Sequence, residues 1–213
     1  MASQTTKVYD TIKNKIISGE YSPSESLPEQ ELANQYGVSR NTIKKVLLML
    51  EKESLVTIEL NKGAKVRSYS LKEVIEFLEL RANLEGFIIR KAVPVMTEEQ
   101  INQLGKILEV MKEFQKKQQL LMYSQNNQLF HGIIYEACPN RTAVEMTTNL
   151  KNQMRKYNTK TILVPGRDHQ SYAEHSAIYD AVKNRDAELA EALMIRHISN
   201  VLKTFEQNYS LLF

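Results

Sequence analysis

Three of the four histidines in the chain lie where their side chains could bind a metal ion. His131, His175 and His197 each fall well inside a different predicted helix and are flanked by apolar residues. Imidazole is a common nitrogen donor to Zn, Ni, Cu and Fe, and the helices of a bundle can direct such ligands toward its interior. Asn127 lies one helical turn before His131 on the same face, so its amide oxygen could join them. Spacing alone leaves open the alternative that these histidines are core residues with hydrogen-bonded rings.

A second group of residues could bind DNA. Residues 27–51 predict a helix, a turn at Gly37 and a second helix that begins at Arg40. Apolar residues of the second helix form one stripe, which leaves on its outer side Arg40, Asn41, Lys44 and Lys45. Arg and Asn side chains can each form two hydrogen bonds with a base edge, and Lys can bind a phosphate or a guanine. The pattern is therefore typical of a helix-turn-helix with a basic recognition helix, in preference to a solvated charged face.

The residues that follow the second helix predict a β-hairpin, or wing. A β-branched run over residues 55–60 leads to a turn at Asn61-Lys62-Gly63 and then to a strand that contains Lys65 and Arg67. The basic surface is thus expected to extend beyond the recognition helix.

The elements that must position the histidines are helices. From about Leu71 to Phe213 the pattern is that of an all-helical bundle, with helices at roughly 71–93, 97–117, 119–138, 140–163, 168–184 and 186–209. Breaks fall at Pro94, Pro139-Asn140 and Pro165-Gly166, and N-caps at Thr97 and Asp186. We therefore predict a mainly α protein with an N-terminal winged helix-turn-helix domain over residues 1–68 and a C-terminal helical-bundle domain over residues 69–213.

Composition limits the class of protein. The chain has 213 residues and a net charge of +3, so DNA affinity must come from local clusters of basic residues. Cys138 is the only cysteine, which excludes a disulfide framework, and no apolar run reaches the roughly 20 residues that span a bilayer. The N-terminus does not resemble a signal peptide. We therefore expect a soluble cytoplasmic protein.

The N-terminal domain resembles a known family. Residues 7–67 contain K-V-Y-D-T-I-K-N-K-I-I-S-G-E-Y-S-P, L-P-E-Q-E-L-A and G-V-S-R-N-T-I-K-K-V-L, and are similar to the winged-helix domain of GntR-type bacterial transcription regulators. The resemblance implies DNA contacts from the recognition helix and from the wing tip in the minor groove. Carried over to this sequence, they are Arg40, Asn41, Thr42, Lys44, Asn61, Lys62 and Gly63, with Lys45 as an added phosphate contact. Gln30 and Lys44-Lys45 depart from residues common in the family, so we expect a different operator sequence.

The helical domain is similar to the FCD domain, the effector-binding domain of the FadR subgroup. Its anchors are L-E-L-R-A-N-L-E-G, N-x-x-x-H with F-H-G-I-I, E-H-S-A-I-Y-D-A-V-K-N-R-D and R-H-I. In metal-binding members, an Asp and three His hold a divalent ion, often zinc or nickel, at the floor of the effector pocket. The corresponding residues here are Asn127, His131, His175 and His197. Because an amide is a poorer ligand than a carboxylate, we expect weaker binding or a shift toward metals that prefer nitrogen.

The resemblance also implies a small organic acid as effector. The first helix of the family usually carries an Arg that contacts an acidic ligand, and Arg81 occupies that position. Glu85, four residues later, is a further candidate for effector binding and could also form an ion pair with Arg81 along the helix. Arg155 is the third candidate for effector binding. Arg binds a carboxylate through two hydrogen bonds, and the open face of the metal could take another oxygen of the same ligand. His169 matches no anchor and is expected to be solvated.

We therefore expect a homodimeric transcriptional regulator, with repression of a palindromic operator relieved by its effector. A second hypothesis is the same DNA-binding regulator with a metal-free effector pocket, in which the three histidines bind the effector directly. A zinc ion held by three histidines, with one open coordination position, also occurs in hydrolytic zinc enzymes. However, the sequence has no H-E-x-x-H motif, phosphate-binding Gly loop or nucleophile elbow, so an enzyme is not expected.

Overall fold

A computed structural model describes residues 3–59, 63–154 and 160–212. The chain divides into two compact units, Met1–Ser70 and Leu71–Phe213. No helix in the described ranges is long and apolar enough to cross a membrane.

The first unit contains three helices and a small antiparallel sheet. Its elements are α1 (Gln4–Ser18), β1 (Ser26–Leu27), α2 (Glu29–Tyr36), α3 (Arg40–Lys52), β2 (Val56–Glu59) and β3 (Gly63–Val66). The strand order is β1-β3-β2, and β2 pairs with β3 as the predicted hairpin. Sequence reasoning did not predict β1, because two residues are too few to show an alternating pattern.

Local chemistry explains the turn between α2 and α3. Gly37 ends α2 with a φ of 62°, a left-handed conformation that glycine adopts without a Cβ penalty. Ser39 then caps α3, because its side chain accepts a hydrogen bond from the backbone N–H of Thr42. The α3 residues that face the core are Ile43, Val46, Leu47 and Leu50. The predicted helix-turn-helix is therefore confirmed, with the second helix beginning at Arg40.

The second unit is helical throughout its described residues. Its elements are α4 (Leu71–Ala92), a short 3₁₀ helix (Val93–Val95), α5 (Glu98–Lys116), α6 (Leu120–Ala137), α7 (Arg141–Gln153), α8 (Arg167–Lys183), α9 (Ala187–Gln207) and α10 (Tyr209–Leu212). The predicted N-caps at Thr97 and Asp186 are confirmed, and the side chain of Gln100 completes a capping box with Thr97. The mainly α fold class is likewise confirmed.

The prediction of one continuous helix over residues 140–163 is wrong. Helix α7 ends at Gln153, and Met154 lies in the turn that follows it. Met154 and Ile162 are both buried, so they continue the apolar stripe of α7 in sequence although the helix has ended. The spacing of apolar residues alone cannot show whether such a stripe belongs to one continuous helix or to a helix followed by other buried residues.

The packing of the second unit brings its helices together around one region. Helix α4 packs against α9 and contacts α6 and α7, while α9 also packs against α8. At the crossing of α4 with α9, a Cβ added at Gly86 would lie 2.6 Å from Cγ1 of Ile195, so glycine permits the close approach of the two helices. The three helices that carry His131, His175 and His197 are α6, α8 and α9.

Candidate functional site

The three histidines predicted as metal ligands meet in the interior of the second unit. His131, His175 and His197 are each at most 2% exposed. One ring nitrogen of each lies within 4.8 Å of those of the other two. The Nε2 atoms of His131 and His175 are 3.3 Å apart.

Carboxylates fix the orientation of two of these rings. Nδ1 of His131 lies 2.6 Å from Oε2 of Glu85, and Nδ1 of His197 lies 2.6 Å from Oε2 of Glu174. An ionised carboxylate only accepts hydrogen bonds, so in both rings Nδ1 carries the proton and Nε2 presents a lone pair. Metal-binding histidines commonly have such a partner on the nitrogen that does not bind the ion.

The third ring is held by the backbone. Nδ1 of His175 lies 2.6 Å from the carbonyl oxygen of Ser171, which also only accepts, so Nε2 of His175 is again unprotonated. The two lone pairs of His175 and His131 therefore face each other at 3.3 Å, an arrangement that is repulsive without a cation between them. Two nitrogens that bind one zinc ion at a tetrahedral angle lie about 3.3 Å apart.

Burial keeps all three imidazoles neutral near pH 7. It lowers the pKa of His131 and of His197 to about 4, and that of His175 to about 3. Burial alone would raise the pKa of Glu174, but hydrogen bonds from His197 and Arg167 lower it to about 2. Neutral imidazoles beside ionised carboxylates are the protonation states that metal binding requires.

Asn127 adds an oxygen donor to the same place. It precedes His131 by one turn of α6, and both residues line one cavity together with His197. Within the described part of the chain, Oδ1 of Asn127 is buried without a hydrogen-bond partner. An unsatisfied buried acceptor costs about 1–3 kcal/mol, a cost that a bound cation removes. Three imidazole nitrogens and one amide oxygen fit a divalent transition metal ion.

Arg81 and Glu85 form a buried ion pair, with side chains 8% and 0% exposed. The Nε–H of Arg81 donates to Oε1 of Glu85, while Oε2 of the same carboxylate accepts from His131. Burial alone would raise the pKa of Glu85, but Arg81 and His131 hold it well below its ordinary value. The few tenths of a kcal/mol expected for a surface pair do not apply here, since breaking a buried pair costs about 3–5 kcal/mol.

Two of the imidazoles, those of His131 and His197, line a cavity of about 230 Å³. Its lining includes the cationic side chains of Arg81, Lys151 and Arg167, and no carboxylate among the residues that the structure describes. Arg167 donates through both terminal nitrogens to Glu174, at 3.1 and 2.8 Å. The charge of the lining suits an anionic ligand.

Two of these cations, Lys151 and Arg167, were missed by sequence reasoning. A signal existed for Arg167, which lies two helical turns before His175 and therefore on the same face of α8. Lys151 has no comparable signal, because its place depends on how α7 packs against α4. Glu85 was predicted to bind effector but is not among the described lining residues, and it contacts His131 instead. Arg155, the other predicted effector residue, lies outside the described residues.

The candidate DNA-binding residues of the first unit lie mostly on the outer face of α3. Exposed side chains there are those of Arg40, Asn41, Lys44 and Lys45. Thr42 is partly buried, and its Oγ1 lies 2.9 Å from that of Ser39. Arg40 Nη2 is 3.3 Å from Glu29, a weak surface contact that DNA phosphate or bases can replace.

The wing contributes Gly63, the first residue of β3, with a φ of 80° that favours glycine. Asn61 and Lys62 lie outside the described residues.

His169, expected to be solvated, has a side chain 72% exposed.

Comparison with known proteins identifies both units. Residues 4–66 match the bacterial regulatory proteins of the gntR family, and residues 76–200, more than half of the chain, match the FCD domain. The chain is 28% identical to the gluconate operon transcriptional repressor of Bacillus subtilis, over 92% of this chain and 81% of that protein. It is 26% identical to the HTH-type transcriptional repressor GlaR of Escherichia coli, over 93% of this chain and 94% of that protein.

Solved structures show the same fold. The structure titled E. coli McbR/YncC superimposes with a TM-score of 0.80, at 21% identity, and covers 98% of this chain and 100% of that one. The matched families and curated relatives are transcription regulators and not enzymes. The chain therefore belongs to the GntR family of bacterial DNA-binding transcriptional regulators and carries an FCD domain.

Proposed function

We propose that this regulator represses transcription and is controlled by a small carboxylate metabolite that binds at a divalent metal ion in the helical unit. One observation carries the metal part of the proposal. Nε2 of His131 and Nε2 of His175 face each other at 3.3 Å, while each Nδ1 faces an oxygen that only accepts. A cation between the two lone pairs removes their repulsion.

The residues that would hold the ion are His131, His175, His197 and Asn127. The donor chemistry favours Zn²⁺ or Ni²⁺, which both bind imidazole well. A bound ion would supply a Lewis acid for a carboxylate oxygen of the effector. The cationic lining of the cavity, including Arg81, supports an anionic ligand. The name of the gluconate operon repressor, which contains that of a carboxylate, agrees with this class of effector. For Arg155, effector binding stays a prediction.

For DNA binding, we propose a homodimer on a palindromic operator, because one winged helix reads too few bases for specific binding. The outer face of α3 and the wing tip would contact the half-site. The proposed residues are Arg40, Asn41, Thr42, Lys44, Lys45, Asn61, Lys62 and Gly63. The support is the exposure of four polar or basic side chains on one face of α3.

Regulation then requires that the effector binds better to the form of the dimer that binds the operator poorly. The difference is a coupling free energy, typically about 1–3 kcal/mol, and it lowers operator affinity by the corresponding factor. Effector binding and DNA binding are reciprocal in this scheme, so operator DNA must weaken effector binding equally.

Native mass spectrometry and elemental analysis of protein purified without a chelator or a His tag test the metal site. We expect about one ion per subunit, lost in His197→Ala and retained in the control His169→Ala, whose histidine is exposed. Both variants should still bind DNA. If the wild-type protein stays free of metal after addition of Zn²⁺ or Ni²⁺, the metal proposal is wrong. The three histidines would then bind the effector directly.

A further inference from the structure

We propose that the effector carries two acidic groups, one for the metal ion and one for Lys151, and that metal and effector bind interdependently. This inference rests on the proposed function and names the chemical class of its ligand. It follows from which charged groups of the site have an opposite charge beside them and which do not.

The donor set around the proposed ion carries no charge. Histidine binds a metal ion as a neutral imidazole, so His131, His175 and His197 would add no charge, and Asn127 would contribute an amide oxygen. A divalent ion at this place would therefore keep both of its positive charges among its direct ligands. An anionic ligand at the open position of such a site gains the attraction of this uncompensated charge.

The two nearby carboxylates are already neutralised. Glu85 pairs with Arg81, and Glu174 pairs with Arg167 through two hydrogen bonds. Each carboxylate accepts from Nδ1 of a histidine, on the side of the ring away from the lone pair that faces the ion. These groups orient the rings, but their charges offset those of the arginines.

Among the cationic lining residues that the structure describes, Lys151 lacks such an ion pair. Its Nζ lies 3.1 Å from the hydroxyl of Tyr135 and 4.7 Å from the centre of the same ring. In the described part of the chain, no carboxylate lies within ion-pair distance of it. Burial lowers the pKa of Lys151 to about 8, so the amine is still mostly protonated at pH 7. Glu85 attracts the amine at longer range, but an amine that faces a cavity without a close ion pair is a position that can bind an anion.

The cavity thus contains two positive centres that need an anion when the metal is bound. A monocarboxylate brings one negative charge to these two centres, whereas a ligand with two acidic groups brings one negative charge for each. A short dicarboxylic acid is the smallest class that meets this requirement. Because its carboxylate would complete the metal site, it should tighten metal binding, and the metal should tighten its binding by the same factor.

The test uses two matched pairs of acids on zinc-loaded full-length protein: malate with lactate, and glutarate with butyrate. Isothermal titration calorimetry gives the affinity of each acid, and transfer of Zn²⁺ to a chromophoric chelator gives metal retention. At least one dicarboxylate should bind tighter than its monocarboxylate partner and slow zinc loss. A coupling of about 5- to 150-fold is typical between linked sites.

Two variants and one control variant test the two parts of the inference separately. Lys151→Met should bind zinc as the wild type does but lose the preference for the dicarboxylate, whereas Lys116→Met, which removes a surface cation, should keep it. Asn127→Asp should bind zinc more tightly without acid and show smaller coupling. Equal affinities within both pairs of acids, or an unchanged preference in folded Lys151→Met, would overturn the inference and leave the metal site intact. Failure of the wild type to bind either zinc or nickel would instead overturn the metal part of the proposed function, and with it this inference.

Discussion

Oε2 of Glu85 lies 2.6 Å from Nδ1 of His131, while Oε1 of the same carboxylate accepts from Arg81. One buried carboxylate thus connects an arginine of the cavity lining with an imidazole whose Nε2 points toward the other histidines. A carboxylate in this position fixes the ring and makes Nε2 a stronger donor. Glu85 would therefore act on the proposed metal through His131, without being one of the proposed ligands.

Glu85→Gln should weaken zinc binding by about 10- to 100-fold, the usual effect of losing an outer-shell partner of a metal ligand. The amide keeps the shape of the side chain but loses the charge that strengthens His131. Competition with a chromophoric chelator measures the affinity. Glu79→Gln is the matched control, because Glu79 lies on the same helix with an exposed side chain.

Loss of Glu85 also leaves Arg81 as an uncompensated buried charge, which destabilises the protein. The double variant Arg81→Gln/Glu85→Gln removes that charge, and it should unfold at a higher temperature than Glu85→Gln alone. It should still bind zinc more weakly than the wild type. Wild-type zinc affinity in a folded Glu85→Gln protein would show that the carboxylate has no influence on the metal.

Arg40→Ala should weaken binding to the operator by about 1–3 kcal/mol, roughly 5- to 150-fold, and reduce discrimination against altered half-sites. The reason is that Arg40 is exposed at the first position of α3, where an arginine can bond two acceptors of one guanine. Fluorescence anisotropy with an operator obtained by in vitro selection, and with a scrambled duplex, gives both quantities. Lys116→Ala removes one surface cation from the other unit and should bind DNA normally. Normal operator binding by Arg40→Ala would show that this part of α3 does not read bases.

The sequence predicted the helix-turn-helix and the convergence of the histidines for different reasons. Gly37 and Ser39 are local signals, since a left-handed turn and an N-cap depend on a few neighbouring residues only. The convergence of His131 with His175 is not local, and it was expected chiefly from resemblance to a family. Their spacing in the chain alone was equally consistent with unrelated core residues.

The partners of the histidines could not be predicted, because they depend on packing between helices far apart in sequence. Glu85 reaches His131 from another helix, and Glu174 precedes His175 directly but contacts His197. Sequence periodicity gives the face of a helix but not which residue of a neighbouring helix meets it. The end of α7 at Gln153 was not predicted either, because buried apolar residues continue in the sequence beyond the end of the helix.

Gly86→Ala should destabilise the second unit, whereas Gly132→Ala should stabilise it. A methyl group at Gly86 would lie 2.6 Å from Cγ1 of Ile195, so α4 and α9 must separate or Ile195 must change rotamer, at about 1–3 kcal/mol. At Gly132 no atom lies within 4 Å of the added Cβ among the described residues, and replacing a glycine inside a helix gains up to about 1 kcal/mol. Thermal unfolding followed by circular dichroism compares the two. A Gly86→Ala protein at least as stable as the wild type would contradict the close approach of α4 to α9.

Affinity for a dicarboxylate should fall as the pH rises through about 8, because burial lowers the pKa of Lys151 to about that value. Below this pH the amine is charged and binds the second carboxylate; above it the neutral amine does not. The charges that surround it stay constant, since Arg81 remains protonated, Glu85 ionised, and Tyr135, whose pKa burial raises, neutral.

Lys151→Arg isolates this effect, because an arginine stays charged at every pH in the range. Calorimetric titration of the zinc-loaded proteins from about pH 6.5 to about 9.5 should show affinity falling by up to about tenfold per pH unit above 8 in the wild type only. Hydroxide competes for the metal equally in both proteins, so the difference between their profiles belongs to residue 151. Parallel profiles would mean that the second acidic group of the ligand is bound elsewhere in the cavity.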